Sequence, residues 1–295
     1  MKQTYFLKLF VTVFFILTGM HTFAGDSLRI MSFNTRYTHA NDGADSWPVR
    51  KELLLKTIAD NAPDILCLQE ATPDMLRAIG AAFPEFMSYG LGRDSILTEY
   101  TESCHIFYRS MVFSIDSANS GTFWFSNTPN VAGSKGWGAN HPRICTFARF
   151  TSSKSGRGFS IYNLHWDHES VEARNNSSRM LAESISSRPF PSEACFVAGD
   201  FNATDDDSSV SGLLDGKHHS IKLTDAFSKF HKHELPEESI TFHGFSGKGT
   251  NRIDFIFYLY GNSIEVRNAI IEKYNENNRY PSDHFPVICD FVFLP

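Results

Sequence analysis

Apolar residues along this chain fall in short unbroken runs, too compact and too apolar for the face of an exposed helix. Ile65, Leu66, Cys67 and Leu68 form one such run, and Phe196, Val197 and Ala198 another. Both read as buried strands. A helical period shows at residues 50–61, where Leu53, Leu54, Thr57 and Ile58 share a face and Pro48 suits an early helical position. Residues 72–79, opened by Thr72-Pro73-Asp74, predict a second helix, and residues 172–186 a third, with Ala173, Met180, Leu181 and Ile185 inward. Strands are expected at 64–69, 144–150, 158–165, 252–258, 264–271 and 287–293, with another ending at Asp200. Residues 86–90, 104–108 and 122–125 read as antiparallel strands of the first half. So many strands with few peripheral helices predict two packed sheets covered by helices.

A polar residue closes most of these runs. Asn34 ends LRIMSFN, Glu70 ends DILCLQE, and His165 ends FSIYNLH. Asp200 and Asn202 close ACFVAGDFN, Asp254 lies in RIDFIFY, and Asp283-His284 stand in YPSDHFPV. In layered α/β folds such strand ends converge on one rim, where ligands bind. Glu70, Asp200, Asp254 and Asp283 gathered there would repel one another unless a cation sat between them, and oxygen-only ligands favour Mg2+ or Mn2+. Glu70 is the first choice for principal ligand, because a carboxylate closing a buried strand is costly to desolvate unless paired. Asn34 and Asp283 would complete the ion's protein shell or hold its waters. Asp200 and Asn202 alternate along an extended segment, so their side chains should face one way. Asp200 would then orient and deprotonate a water, while Asn202 fixes a phosphoryl oxygen. The bland alternatives are a helix-initiating Glu70, a turn-forming Asn34 and a capped turn histidine at His284.

The order Asn, Gln-Glu, His, Gly-Asp-x-Asn, Asp, Ser-Asp-His resembles the endonuclease/exonuclease/phosphatase superfamily over residues 27–295. Gly199-Asp200-Phe201-Asn202 alone could be an ordinary turn, but the pieces together in this order are specific. The resemblance implies a four-layer α-β-β-α sandwich, two packed mixed sheets flanked by helices, with the cleft at one edge of the sheets. It implies direct attack of water on phosphorus with no covalent intermediate. It also implies that Asp254 is the carboxylate partner of His284, which would favour the charged imidazole, and that His165 hydrogen-bonds the phosphate or assists the leaving group. Some readings of the family give Asp200 to a second metal position instead. The family's carboxylate partner for His165 is not fixed by the motif; Asp94, Glu99 and Glu102 are candidates only by neighbourhood.

Arg36 and Arg143 offer planar forks for phosphate, and an ordinary surface ion pair fits each equally well. Trp137, in the Gly-rich loop 126–141, could stack on a sugar or base or belong to a packed surface loop. Phe242, in residues 241–245, is placed near the substrate by family analogy. His165-Trp166-Asp167-His168 invites a zinc reading, but no further ligand set remains for it, and Asp167 reads better as a support than as a ligand.

Residues 1–24 change the picture of where the protein works. Lys2 and Lys8 flank a short basic start, residues 9–17 follow as an apolar core, and Thr22-Phe23-Ala24 supplies small residues for cleavage. This predicts a secretory signal peptide, and so a periplasmic or secreted protein with no stable membrane insertion. Residues 25–295 read as one domain. The net charge of −6 becomes about −8 on losing the two lysines, which tells against a bulk nuclease gripping long polyanions. The five cysteines sit in apolar strand contexts, without a CxxC, as small hydrophobes. The family resemblance implies exonuclease-like or phosphomonoester hydrolysis on a small or single-stranded substrate, a phosphorylated small molecule or nucleic acid, with no protein partner evident. An extracellular endonuclease is the next reading, then a sphingomyelinase-like lipid hydrolase, for which no basic amphipathic stretch exists. A non-catalytic binding module would be expected to have lost one of the site positions.

Overall fold

The computed structural model describes residues 26–232, 239–249, 251–259, 261 and 264–294; the expected signal peptide lies outside them. Strands β1 (Ser27–Asn34), β2 (Ile65–Gln69), β3 (Phe86–Tyr89), β4 (Ile106–Arg109), β11 (Ile264–Ile271) and β12 (Val287–Phe293) form one six-stranded sheet, in the order β11-β12-β1-β2-β4-β3. Strands β5 (Phe113–Trp124), β6 (Ile144–Ser152), β7 (Gly158–His165), β8 (Ala194–Asp200), β9 (Leu223–Asp225) and β10 (Asp254–Leu259) form the other, in the order β5-β6-β7-β8-β10-β9. Each sheet holds a parallel pair, β1 with β2 and β7 with β8, among antiparallel neighbours. A parallel pair needs a crossover, and helices α1 (Trp47–Asn61) and α3 (Val171–Ser186) supply the two. Helix α2 (Pro73–Ala82) lies beyond β2, and α4 (Ser208–Leu214) and α5 (Ala226–Phe230) lie beyond β8. The expected two mixed sheets flanked by helices are what the chain forms.

The strand runs are continuous rather than alternating because both faces are covered. On β1, Ile30 enters the layer between the sheets, where it meets residues such as Phe196 and Ile256, while Met31 faces outward toward Leu54 and Ile58 of α1. On β8, Phe196 packs inward and Val197 outward, with Leu181 and Ile185 of α3. Replacing Phe196 by alanine in such a layer costs about 3–5 kcal/mol. All five cysteines are free and buried in these layers. No helix among the described residues is long and apolar enough to cross a membrane.

Four elements differ from the sequence pattern. β5 runs from Phe113 and joins the second sheet, whereas only 122–125 showed strand character and were assigned to the first half. Its extra length, with Ser, Asp and Asn, forms an irregular edge with a register shift between Asp116 and Gly121, so it carries no apolar alternation. Helices α4 and α5 and strand β9 are too short to show a period. They are set instead by Asp207 and Asp225, whose carboxylates accept from Ser209 N–H and Phe227 N–H as helix caps.

Candidate active site

The C-terminal ends of β1, β2, β7 and β8 meet at one rim, and strand register decides who stands beside whom. Asn34 pairs with Gln69, His165 with Asp200, and Asp200 in turn with Asp254 on the antiparallel β10. The chain then turns sharply. Arg36, Glu70 and Asn202 all adopt left-handed backbone, with φ of 53°, 57° and 48°. Non-glycine residues there cost on the order of 1–2 kcal/mol each, and such strain clusters at functional sites. Gly199 lets β8 approach β7, since a Cβ there would meet the Leu164 carbonyl oxygen at 2.2 Å.

The resulting cleft, of about 730 Å³, is lined by Glu70, His165, Asp200, Asn202, Asp283, His284, Arg36 and Arg143 among others. Asn34 and Asp254 lie behind this lining. Asn34 Nδ2 donates to Glu70 Oε1 at 3.1 Å and Asp200 Oδ2 at 2.9 Å, while its Oδ1 accepts from Arg36 N–H at 3.0 Å. Asp254 Oδ2 stands 2.8 Å from His284 Nδ1. Ser282 Oγ donates to the Asn34 carbonyl at 2.7 Å, which fastens the Asp283-His284 loop to the end of β1.

Charge is tightly arranged. Burial, then the nearby Asp254 carboxylate, raises the pKa of Asp200 to about 7. Burial also raises Asp283, with Glu70 adding to it. For His284, burial acts to lower the pKa, but Asp254, with Asp200 and Asp283 behind it, outweighs burial and holds the imidazole well above its ordinary value. His165 is the reverse: burial, then Arg143 and Arg93, push it well below, so it is neutral. Its 3.5 Å approach to Asp200 is therefore not an ion pair, and Nε2 is placed to accept from Arg143 Nη1 at 3.1 Å.

The donor set fits a hard divalent cation. Carboxylates of Glu70, Asp200 and Asp283 share one cleft, two of them raised by burial, and Asp254 Oδ1 is buried without a partner. Two trios bring their ligand atoms within 4.8 Å: Glu70, Glu102 and His165, and Asp200, Asp254 and His284. In the second, the His284 imidazolium already offsets one of the two carboxylates, which leaves the surroundings of Glu70 as the better cation site.

A family model described as Endonuclease/Exonuclease/phosphatase family matches residues 31–284. The chain belongs to this family. A Nocturnin from Drosophila melanogaster is 24% identical over 92% of the chain, which spans 47% of that relative's length. An endonuclease/exonuclease/phosphatase from Bacteroides vulgatus superposes with a TM-score of 0.81 at 28% identity, over 91% of this chain and 100% of that one. A mannosyl-6-phosphatase from Bacteroides thetaiotaomicron does so with a TM-score of 0.79 at 29% identity, over 90% and 100%.

Within this endonuclease/exonuclease/phosphatase frame, several residues stand differently from their sequence reading. Asn202 is not on an extended segment. Strand β8 ends at Asp200, and the left-handed turn sends Asn202 Nδ2 to the Trp166 carbonyl at 2.9 Å. It still lines the cleft. Asn34 turns its amide nitrogen, not its oxygen, to the carboxylates, so it ties Glu70 to Asp200 rather than offering an oxygen ligand. Trp137 is outside the cleft lining and packs on the α3 side of the second sheet, its carbonyl accepting from Ser170 Oγ at 2.7 Å. Arg36 lines the cleft but pairs with Asp42 at 2.8 Å. Arg143 is only 5% exposed and no surface ion pair; it spans Asp167, His165 and His168.

Sequence reasoning missed Arg50 and Arg93. Arg50, buried on α1, donates to the carbonyls of Thr35, Pro281 and Arg36, pinning both loops that carry site residues. Its signal was an arginine in register with the buried face of Leu53, Leu54, Thr57 and Ile58. Arg93 lines the cleft, and of the three acids considered as partners of His165, Asp94, Glu99 and Glu102, only Glu102 lines it with Arg93, its carboxylate beside the His165 ring. Nothing local marked Arg93.

Proposed function

We propose that this protein is a divalent-metal-dependent phosphomonoesterase that hydrolyses small phosphorylated polyols or sugars by direct attack of water. The observation that carries the reading is the pairing of the cleft's arginines. Arg36 is held by Asp42, Arg93 by Glu102 and Arg143 by Asp167. A long polyanion needs unpaired cations in a track, whereas these forks are set around one compact site. The similarity to a mannosyl-6-phosphatase supports the same substrate class.

Glu70 and Asp283 would hold the cation, Mg2+ or Mn2+, which when bound there neutralises phosphoryl charge and aligns the ester. Asp200, fixed by Asn34 Nδ2 and by Asn202 N–H at 2.8 Å, takes the proton of the attacking water. The charged His284, held by Asp254, stabilises charge on the phosphoryl oxygens in the transition state. Arg143 and neutral His165 face the same space and serve the phosphate or the departing oxygen.

An exonuclease acting on single strands is the second reading. It is favoured by the Phe242 ring, 40% exposed at the cleft and able to stack on a base, and by the likeness to Nocturnin. The deciding experiment compares protein lacking residues 1–24 with its Glu70→Ala and His284→Ala variants in Mn2+ or Mg2+. Substrates are a hexose phosphate, single-stranded RNA, duplex DNA and an aryl phosphodiester. Hexose phosphate turnover lost in both variants is expected. Turnover of RNA alone would move the assignment to exonuclease, and activity equal in wild type and variants would abandon catalysis at this cleft. We also propose export through residues 1–24, checked by fractionation and N-terminal sequencing of the mature chain.

A further inference from the structure

Residues 92–103 leave the first sheet as a closed excursion that ends beside the candidate metal ligand. Gly92 bridges Ser103, and Ser103 bridges Ala71, the residue after Glu70. Arg93 N–H donates to the Glu102 carbonyl at 2.9 Å, and the Arg93 carbonyl accepts from Trp124 Nε1 at 2.6 Å. With its backbone fixed on both sides, Arg93 extends Nη2 to Glu102 Oε1 at 2.7 Å, and each side chain is 13% exposed where the pair lines the cleft. Arg93 Nε is buried and has no hydrogen-bond partner. The Glu102 carboxylate lies within 4.8 Å of the Glu70 carboxylate and the His165 ring.

Resting on the phosphoesterase reading above, we propose that Arg93 and Glu102 form a rigid clamp for hydroxyl groups on the alcohol portion of the substrate, and so select polyol phosphates. A sugar hydroxyl both donates and accepts, and this pair offers it a carboxylate acceptor beside a guanidinium donor. The short distance from Glu102 to Glu70 sets which hydroxyls qualify. A group touching Glu102 lies only a few bonds from a phosphate drawn to a cation beside Glu70, hence on a carbon within about two of the ester carbon. The clamp needs no rearrangement to act, since its backbone is tied at both residues. An ester without such hydroxyls forfeits these bonds, and a site built to hydrogen-bond a hydroxyl discriminates against the analogue that lacks it.

The test has two arms, both with Mn2+. Wild-type protein is assayed on a hexose 6-phosphate, its 4-deoxy analogue and 4-nitrophenyl phosphate; kcat/KM for the deoxy analogue should be lower by about tenfold or more. Glu102→Gln and Arg93→Lys are then assayed on the same esters, and their loss on the hexose 6-phosphate should exceed their loss on the aryl ester by about tenfold. Equal turnover of the hexose phosphate and its deoxy analogue by wild type overturns the clamp even if neither variant folds. Equal losses on all esters, or a lower Mn2+ stoichiometry in Glu102→Gln, would make the pair structural or a metal ligand and overturn it too. Aryl phosphate turnover without any on hexose phosphate would instead sink the proposed substrate class, a result separate from failure of the clamp.

Discussion

Asp200 is the side chain whose surroundings most constrain the chemistry. It accepts from Asn34 and from Asn202 N–H, sits beside Asp254 and His284, and is held by burial at a pKa of about 7. Near neutral pH the metal-free protein therefore carries a shared proton there. A cation arriving at the cleft favours the ionised carboxylate, so binding should expel a proton. Titrating Mn2+ at pH 6.5 in buffers of different ionisation enthalpy should show a fraction of a proton released per ion; an enthalpy independent of buffer would refute the shared proton. For the reaction itself, Asp200→Asn keeps the hydrogen-bonding shape but removes the base. Its kcat should fall by about 10²–10⁴-fold with an unchanged circular dichroism spectrum, and a loss below tenfold would assign the proton transfer elsewhere.

Between elements, the two sheets are joined close to the site by a buried amide pair. Gln69 Nε2 donates to Asn163 Oδ1 at 2.7 Å, and Asn163 Nδ2 donates to the carbonyls of Leu68 and His105, each at 2.9 Å. β2 of one sheet and β7 of the other are thereby held in register where Glu70 and His165 follow them. Gln69 Oε1 is already without a partner, so the pair has no polar group to spare. Asn163→Ala removes the shortest bond of Gln69 Nε2, which keeps only its 3.3 Å contacts to Ser32 Oγ and the Cys67 carbonyl, and a donor to two carbonyls, and should cost about 1–3 kcal/mol. Urea unfolding would measure it, with the midpoint falling and the slope kept; a change under 1 kcal/mol would mean water replaces the amide. Arg50 acts in the same way from α1, and burial lowers its pKa to about 10, which still leaves it charged.

For the whole molecule, acid stability should bear the mark of His105. Burial lowers its pKa to about 4, with Nδ1 sharing a hydrogen bond with Ser103 Oγ at 2.7 Å. The unfolded chain takes its proton near pH 6.5, whereas the folded one resists until about 4. The stability due to this group is thus intact above about pH 6.5 and lost progressively as pH falls toward 4. His105→Gln should remove between about 1 and 3 kcal/mol of that loss, the lower figure reflecting a ring edge that meets solvent. Denaturation midpoints of both proteins from pH 7 to 4 would check this, and parallel curves would rule it out.

What the sequence by itself determined was local. Apolar runs and helical period placed β7, β11 and β12 at their observed ends and α1 and α3 within a few residues of theirs. The order of polar strand ends indicated the family, since side-chain periodicity and the strand-end position of a carboxylate are properties of a single segment. Tertiary structure decided the rest. Asn34 meets Asp200, Arg50 meets Pro281, and Arg93 turns back on Glu102 only because register and packing bring separate segments together. The left-handed turn at Asn202 and the packing of the half-buried Trp137 likewise follow from what surrounds them. Which partner a polar group finds depends on contacts far apart in the chain, and no local pattern encodes those.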